Sequence, residues 1–437
     1  MKKEAVTFTA KQIAELGKDN IPSELLSGQG LVYSSPATLA YNSPGAEGFG
    51  VKRAGLSVPE SVMLIVAPGC CGRNTSIVSS MPQYEDRFFY LMMDETDLVT
   101  GRHLNRIPDA VSEVVSFLQG QNKAPKVVMI CITCVDALLG TDMERVCAAC
   151  ERKIEGTGIK VRPCYMYALT REGRRPPMVH VRQTLYSLLA PMEKDPRSVN
   201  IIGQFAPLAE GELQKYLLEA GVKSIRQIST CGTYDEFLKM ASANFNIVTN
   251  PEARASADDM TKTLGIPYIE LTRVYGVRQV ALQYQAFANA AGIEIDMSED
   301  LAAAEKAVQD LKTKHPDLTF SIGECINADP FELSLSLVRY GFKVDEIYAT
   351  LAPERFKYMA KLAELSPDTK IYCNMEPTML YYDVSASRAQ VSLGKDAAYY
   401  CPDIPNVAWN EDVQPFGFQG IIELMARIDE AAGEVRT

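Results

Sequence analysis

The chain reads as an α/β protein of three layered α/β/α domains, each built on a mostly parallel sheet. Three observations predict this. Short apolar runs alternate with longer amphipathic segments, the runs are apolar throughout, and polar breaks divide the 437 residues into three stretches of similar build. A strand with one wet face alternates apolar and polar side chains, whereas a strand covered by helices on both faces is continuously apolar.

After an irregular opening through Pro44 and Gly50, seven runs read as parallel strands: VMLIVAP (62–68), KVVMICITC (126–134), VNIIGQF (199–205), FNIVTN (245–250), LTFSIGEC (318–325), DEIYAT (345–350) and KIYCNM (370–375). Helix patterns lie between them. GELQKYLLEAG (211–221) carries Leu213, Leu217 and Leu218 on one face and ends at Gly221, where left-handed backbone suits glycine. DMERVCAACERKIEG, YDEFLKMASA, VRQVALQYQAFANAAG and DLAAAEKAVQDLKTKH read the same way. The breaks MEKDPRS (192–198) and GIEIDMSED (292–300) set domains at 1–195, 196–298 and 299–437, without a close internal repeat.

Hydrophobic residues at 47% and charged residues at 23% are globular values. A net charge of -11 argues against a nucleic-acid partner, which calls for a basic face to displace phosphate counterions. The opening MKKEAVTFTAKQIAELGKDN lacks the apolar core of a signal peptide, and no run approaches the roughly 18 apolar residues of a membrane span. The expectation is a cytoplasmic protein with no membrane partner. No GxxxxGK[ST] loop and no GxSxG elbow occur, and GAEGFG precedes the first strand and reads as a loop, not a dinucleotide fingerprint.

Eleven cysteines in a cytoplasmic chain of this size are not a disulfide framework. Open parallel sheets bind ligands beyond the carboxyl ends of their strands, so the loops PGCCGRNTS (68–76) and CVDALLGTDME (134–144) draw notice. Cys70 and Cys71 follow a Pro-Gly turn that allows close backbone approach. Cys134 faces the loop. Cys131, three residues earlier, reads as core or as an alternate ligand. Two thiolates per chain are too few for a cubane cluster, which takes about four, but two chains together supply them. Cys164, Cys231, Cys325, Cys373 and Cys401 are scattered in or beside strand patterns and read as core. A zinc site is the rival: Cys131, Cys134, Cys147 and Cys150 form CxxC pairs separated by 12 residues. Against it, Cys147 and Cys150 share one face of a helix with Val146 and Ile154 alongside. His103, His180 and His315 form no cluster and read as surface or loop residues.

Taken in order, these segments resemble the nitrogenase component 1 superfamily, which includes nitrogenase catalytic subunits, cofactor-assembly scaffolds, dark-operative protochlorophyllide reductase and nickel-sirohydrochlorin reductive cyclase. TCVDALLGTDME is similar to the family's thiolate loop, and PGCCGR to the ligand loop before it. NIIGQFAPLAEGELQKYLLEAGVKSI and ANFNIVTNPEARASADDMTKTLGIPYIEL resemble its second domain, and SIGECINADPFELSLSLVRYGFKV the start of its third. The resemblance implies Rossmann-like domains, with cluster ligands at Cys134, followed by Gly140 and Asp142, and at Cys70, or Cys71 by a one-residue shift. Thr133, Asn74 and Arg73 would stand close by.

Departures from the family matter as much. LVYSSPATLAYNSPG carries Ser34 or Ser35 where nitrogenase-type subunits have an upstream cysteine, and Asn250 and Ala408 stand where the catalytic subunit has its cofactor-holding cysteine and histidine. The resemblance therefore implies an oxidoreductase subunit with a [4Fe-4S] iron–sulfur cluster shared between two chains and no iron–molybdenum cofactor. Its partners would be an identical chain in a homodimer or a paralogous subunit in a heterodimer or heterotetramer, and an ATP-dependent iron–sulfur reductase. The reductase would deliver low-potential electrons for reduction of a small-molecule substrate other than dinitrogen. The alternative is a non-catalytic scaffold for assembly of a metal cofactor.

Overall fold

The computed structural model describes residues 4–26, 46–69, 79, 81–132, 139–165 and 175–434. Its strands, in chain order, are β1 (Phe8–Thr9), β2 (Ser61–Ala67), β3 (Phe88–Met92), β4 (Val127–Ile132), β5 (Lys160–Tyr165), β6 (Asp195–Ile202), β7 (Ser224–Arg226), β8 (Ala243–Val248), β9 (Tyr268–Glu270), β10 (Thr319–Gly323), β11 (Lys343–Tyr348), β12 (Lys370–Tyr372), β13 (Val391–Leu393) and β14 (Asn406–Val407). Contacts divide the chain into two compact units. The first lies within residues 44–207 and 222–270 and holds two parallel four-stranded sheets, ordered β3-β2-β4-β5 and β7-β6-β8-β9. The second lies within 1–43, 208–221 and 271–437 and holds a six-stranded sheet, β1-β12-β11-β10-β13-β14, parallel except for β1.

The α/β class and the parallel sheets are as the sequence predicts, and β2 shows why. Val62, Leu64 and Val66 enter one apolar cluster while Met63, Ile65 and Ala67 enter another, so both faces are dry. The same alternation runs along β4, with Val128, Ile130 and Ile132 on one face and Val127, Met129 and Cys131 on the other. The chain starts both four-stranded sheets, and the parallel part of the six-stranded sheet, at an inner strand, builds outward to one side and then crosses back. Strand order therefore reverses between β2 and β4, between β6 and β8, and between β10 and β13.

Several elements depart from the sequence reading. GAEGFG is not a loop, because Ala46–Gly55 is a helix. Its glycines lower helix propensity, but tertiary packing needs Gly55: a Cβ there would lie 2.6 Å from Met63 Cε and 3.0 Å from Cys164 Sγ. β5 escapes the list of apolar runs because Pro163 interrupts it, and an edge strand is where proline is tolerated. The irregular opening contains β1, which pairs antiparallel with the edge strand β12, and a helix, Ala10–Leu16, whose first turn is closed by a Thr9–Gln12 capping box.

Two buried carboxylates tie the second unit together. Glu212 Oε1 accepts from Phe418 N at 2.6 Å and from Tyr284 Oη at 3.0 Å, so it closes the first turn of the helix Gly417–Glu434. Gly417 has a φ of +61°, and a Cβ there would sit 2.0 Å from Glu212 Oε1. Glu332, on the helix Pro330–Arg339, accepts from Tyr275 N at 2.9 Å, Gly276 N at 3.3 Å and Ser336 Oγ at 2.9 Å.

Replacing Glu212 with Ala leaves buried N–H and O–H groups unpaired, and is expected to cost about 2–4 kcal/mol in chemical denaturation. Gly417→Ala should also destabilise, through the clash. Burial pushes the Glu332 carboxyl up from its ordinary 4.5 to about 7. The folded state then binds its proton more tightly than the unfolded state, so this contribution is complete below pH 4.5 and is lost as pH rises through 7. The loss is at most about 3 kcal/mol. Glu332→Gln should flatten the fall in stability across that window; an unchanged slope would contradict the assignment.

Candidate functional site

The switch point of the first sheet is built by β2 and β4. Val66 pairs with Ile132, so the two strands end side by side, β2 at Ala67 and β4 at Ile132. Open α/β sheets bind ligands in the crevice outside such a reversal of strand order. In sequence, Cys70 follows Ala67 by three residues and Cys134 follows Ile132 by two. Cys70, Cys71 and Cys134 lie outside the described residues, as do Ser34, Ser35, Arg73, Asn74 and Thr133. Where the chain after β4 is described again, Gly140 has a φ of +68° and Asp142 caps the helix Met143–Lys153 by accepting from Arg145 N at 3.0 Å. A cavity of about 380 Å³ opens there, lined by Thr141, Asp142, Tyr165, Arg175 and His180 among others. A larger one, about 600 Å³, lies at the opposite, amino ends of β2, β3 and β4. Its Arg87 is engaged in holding the backbone oxygens of Leu56, Val58 and Ser61.

Cys131 is wholly buried in the middle of the sheet, opposite Cys164 of β5. It packs on the sheet face away from Cys147 and Cys150, which are buried against Ile130, Ile132 and Ile154. The zinc ribbon is therefore not assembled: one of its four cysteines sits across the sheet from two others. Burial pushes the Cys147 thiol up, and that of Cys150 to about 12, so neither is poised to give the thiolate a metal needs. Cys164, Cys373 and Cys401 are buried as the sequence predicts, while Cys231 and Cys325 are half-buried.

The histidines require a correction. His103 is buried, on the helix Arg102–Gly120, with Nδ1 3.0 Å from Asp97 O. His315 is also buried, its Nε2 2.9 Å from Asp429 Oδ1. His180 is half-buried on the helix Pro177–Tyr186 against the Tyr165 ring, and burial together with Arg175 lowers its proton affinity. Each is a packing residue with a local partner, which sequence spacing does not reveal. Among the described residues no three His, Cys, Asp or Glu side chains gather as a metal site.

At the second switch point, β6 ends before Gly203 and β8 before Asn250. Gly203 has a φ of +134°, and a Cβ on it would lie 2.7 Å from Asn250 N, so the two loops touch backbone to backbone. Asn250 Oδ1 accepts from Glu252 N at 3.0 Å and caps the short turn Pro251–Ala253. The buried Arg182 donates to Gly203 O at 2.8 and 3.1 Å and to Glu252 Oε2 at 2.7 Å, locking the same corner.

The third switch point, β10 against β13, holds two carboxylates that the sequence reading passed over. Asp396 accepts from Glu324 N at 2.8 Å, Cys325 N at 2.9 Å and Asn374 Nδ2 at 2.5 Å. Glu324 accepts from Thr350 N at 2.5 Å. Burial raises the proton affinity of both acids, and for Glu324 the nearby Asp396 adds to it. A Cβ on Gly323 would sit 2.1 Å from Asp396 Oδ1, so the strand can approach the acid only without a side chain. The signal was present as SIGEC and SLGKD, a glycine at or just after the end of each strand with an acid next or two residues on. These carboxylates shape the loops over the sheet by binding their N–H groups.

The family described as nitrogenase component 1 type oxidoreductase matches residues 47–432. The nitrogenase iron-molybdenum cofactor biosynthesis protein NifE of Rhodobacter capsulatus is 24% identical over 397 residues, 84% of this chain and 80% of that protein. NifE of Sinorhizobium fredii is 23% identical over 430 residues, 91% of this chain and 83% of that protein. Among solved structures, nitrogenase Cp1 at pH 6.5 superposes with a TM-score of 0.71 at 15% identity, covering 95% of this chain and 96% of its own. Cp1 at pH 5 gives 0.62, also at 15% identity, with 94% and 91% covered. These relatives overturn one expectation, that the chain is a catalytic oxidoreductase component: the proteins it matches over most of its length are named for cofactor biosynthesis, not for reduction of a substrate. Among the described residues no helix is long and apolar enough to cross a membrane. With its three parallel-sheet switch points and a family match over nearly its whole length, the chain belongs to the nitrogenase component 1 type oxidoreductase family.

Proposed function

We propose that the chain is a scaffold on which part of an iron-containing cofactor is assembled and handed on. The observation that carries this reading is the similarity to NifE proteins along four-fifths or more of both chains. The scaffold works as half of a pair with a second component-1-like chain, and an ATP-dependent iron–sulfur reductase supplies electrons during assembly. The division into domains 1–195, 196–298 and 299–437 belongs to the same reading.

Beyond β2 and β4 the donor set is Cys134 with Cys70 or Cys71, the only thiols in the two segments that come after these neighbouring strands. Their chemistry fits a [4Fe-4S] cluster only when shared, because a cubane takes about four thiolates and one chain offers two or three. The cluster would supply one-electron chemistry at low potential. The protein's part is to hold it by thiolates and tune it by burial and hydrogen bonds. Asn250 is committed to capping Pro251–Ala253, and Ala408 offers no donor atom, so the cargo lacks the side-chain ligands that would retain it. Weak retention suits a chain that must release what it builds.

The test uses the complex purified without oxygen together with its paralogous partner. Cys134→Ala should remove at least about half of the bound iron, whereas Cys147→Ala and Cys150→Ala should leave iron unchanged and cost about 1–3 kcal/mol of stability. Loaded complex mixed with an apo-acceptor should pass its iron–sulfur cargo across. Full iron in the Cys134 variant would remove the shared cluster from the account. Steady reduction of a small molecule with no cargo transfer would overturn the scaffold.

A further inference from the structure

Five of the 20 tyrosines of the chain, Tyr348, Tyr372, Tyr382, Tyr399 and Tyr400, are linked ring to ring in the second unit, beside one buried carboxylate. Glu346, on β11, is wholly buried. Its Oε2 accepts the phenolic O–H of Tyr348 and that of Tyr382, each at 2.8 Å, and its Oε1 faces Lys370 Nζ at 3.3 Å. The rings form a continuous stack of contacts. Centroids lie 4.6 Å apart between Tyr348 and Tyr400, 5.2 Å between Tyr382 and Tyr400, and 5.4 Å between Tyr400 and Tyr399. Tyr348 and Tyr400 are buried, while Tyr399 is 43% exposed, so the series runs from the interior to the surface.

Packing alone does not call for this arrangement. Tyrosine rings fill a core as phenylalanine does, and a lone phenol is satisfied by one neutral acceptor, whereas burying a carboxylate carries a desolvation cost of several kcal/mol. What a carboxylate under two phenols does provide is a proton acceptor at transfer distance. A phenol loses an electron readily only when its proton leaves in the same step, because the cation radical is a very strong acid. Ring contacts below 6 Å then let the electron vacancy move from one tyrosine to the next.

We infer that Tyr348, Tyr382, Tyr400 and Tyr399, with Glu346 as the base, form a proton-coupled path that carries oxidising equivalents from the interior of this unit to its surface. A one-electron oxidant derived from dioxygen takes an electron from Tyr348. The O–H bond breaks, the proton goes to Glu346 Oε2, and a neutral tyrosyl radical and a carboxylic acid result. An electron from Tyr399 tunnels across the Tyr400 ring, which keeps its proton and is not itself oxidised, and refills Tyr348 as the proton returns from Glu346 to the phenol oxygen. Tyr399 gives its own proton to water and is restored by hydrogen-atom transfer from a soluble thiol, which leaves as a thiyl radical. The path protects the fold, and it stands independently of the scaffold reading.

The test applies flash photolysis to the full chain, with a ruthenium polypyridyl photo-oxidant and a sacrificial electron acceptor, and tracks tyrosyl radicals by rapid-freeze electron paramagnetic resonance. The unaltered chain should give a neutral tyrosyl signal. Glu346→Gln, which keeps the shape but not the base, should lower its yield about tenfold or more. Tyr399→Phe, at the surface, should keep the yield and lengthen the lifetime several-fold, because the exit is closed. Equal yield in Glu346→Gln, or an unchanged lifetime in Tyr399→Phe, would overturn the path. Should Glu346→Gln fail to fold, Tyr399→Phe decides the matter alone.

Discussion

A parallel sheet whose two faces are both covered by helices has polar chemistry available at its strand ends and almost nowhere else. In this chain the faces of β2 and β4 are filled by apolar side chains that alternate into two separate clusters. That one constraint decides which side chains can meet a ligand. Cysteines within the strands or on the covering helix, such as Cys131, Cys147 and Cys150, are packing groups whatever their spacing in the sequence. Residues just past a strand are the ones released from it, and strand order reverses at three points in this chain.

The three points are furnished differently. The first has thiols in the two segments that come after its strands. The second is closed backbone to backbone, with Gly203 against Asn250 and the buried Arg182 pinning the corner. The third is roofed by loops that Asp396 and Glu324 gather through their N–H groups. Carboxylates do most of the long-range fastening in the second unit. Glu212 reaches 206 residues along the chain to Phe418, and Glu332 reaches 57 back to Tyr275. Each carries a desolvation penalty that its hydrogen bonds offset, so the unit's stability is tied to the protonation of buried acids.

The chain belongs to the nitrogenase component 1 type family, and the relatives it matches along most of both chains are named for cofactor biosynthesis. A family frame says little by itself about chemistry, since one fold supports many activities. Asn250 keeps the backbone geometry of its corner but turns its side chain to capping a turn, a local use that needs no ligand.

The sequence by itself determined the α/β class, seven of the parallel strands and the helix that hides Cys147 and Cys150, because all of these rest on local periodicity and continuous apolar runs. It also singled out the segments after β2 and β4, where strand ends and thiols coincide within a few residues. Short or interrupted elements were not legible: β1 has two residues, β5 contains Pro163, and Ala46–Gly55 is a helix whose Gly55 only its packing explains. Nor were the burial of His103 and His315, the Glu324–Asp396 pair or the tyrosines around Glu346, all of which depend on partners the sequence does not place. Tyr348, Tyr382 and Tyr400 are brought together by strand order, and a contact between residues 34 or more apart, as between Tyr348 and Tyr382, leaves no periodic trace in a single sequence. Only the crossing of the chain between parallel strands decides which of those distant residues become neighbours.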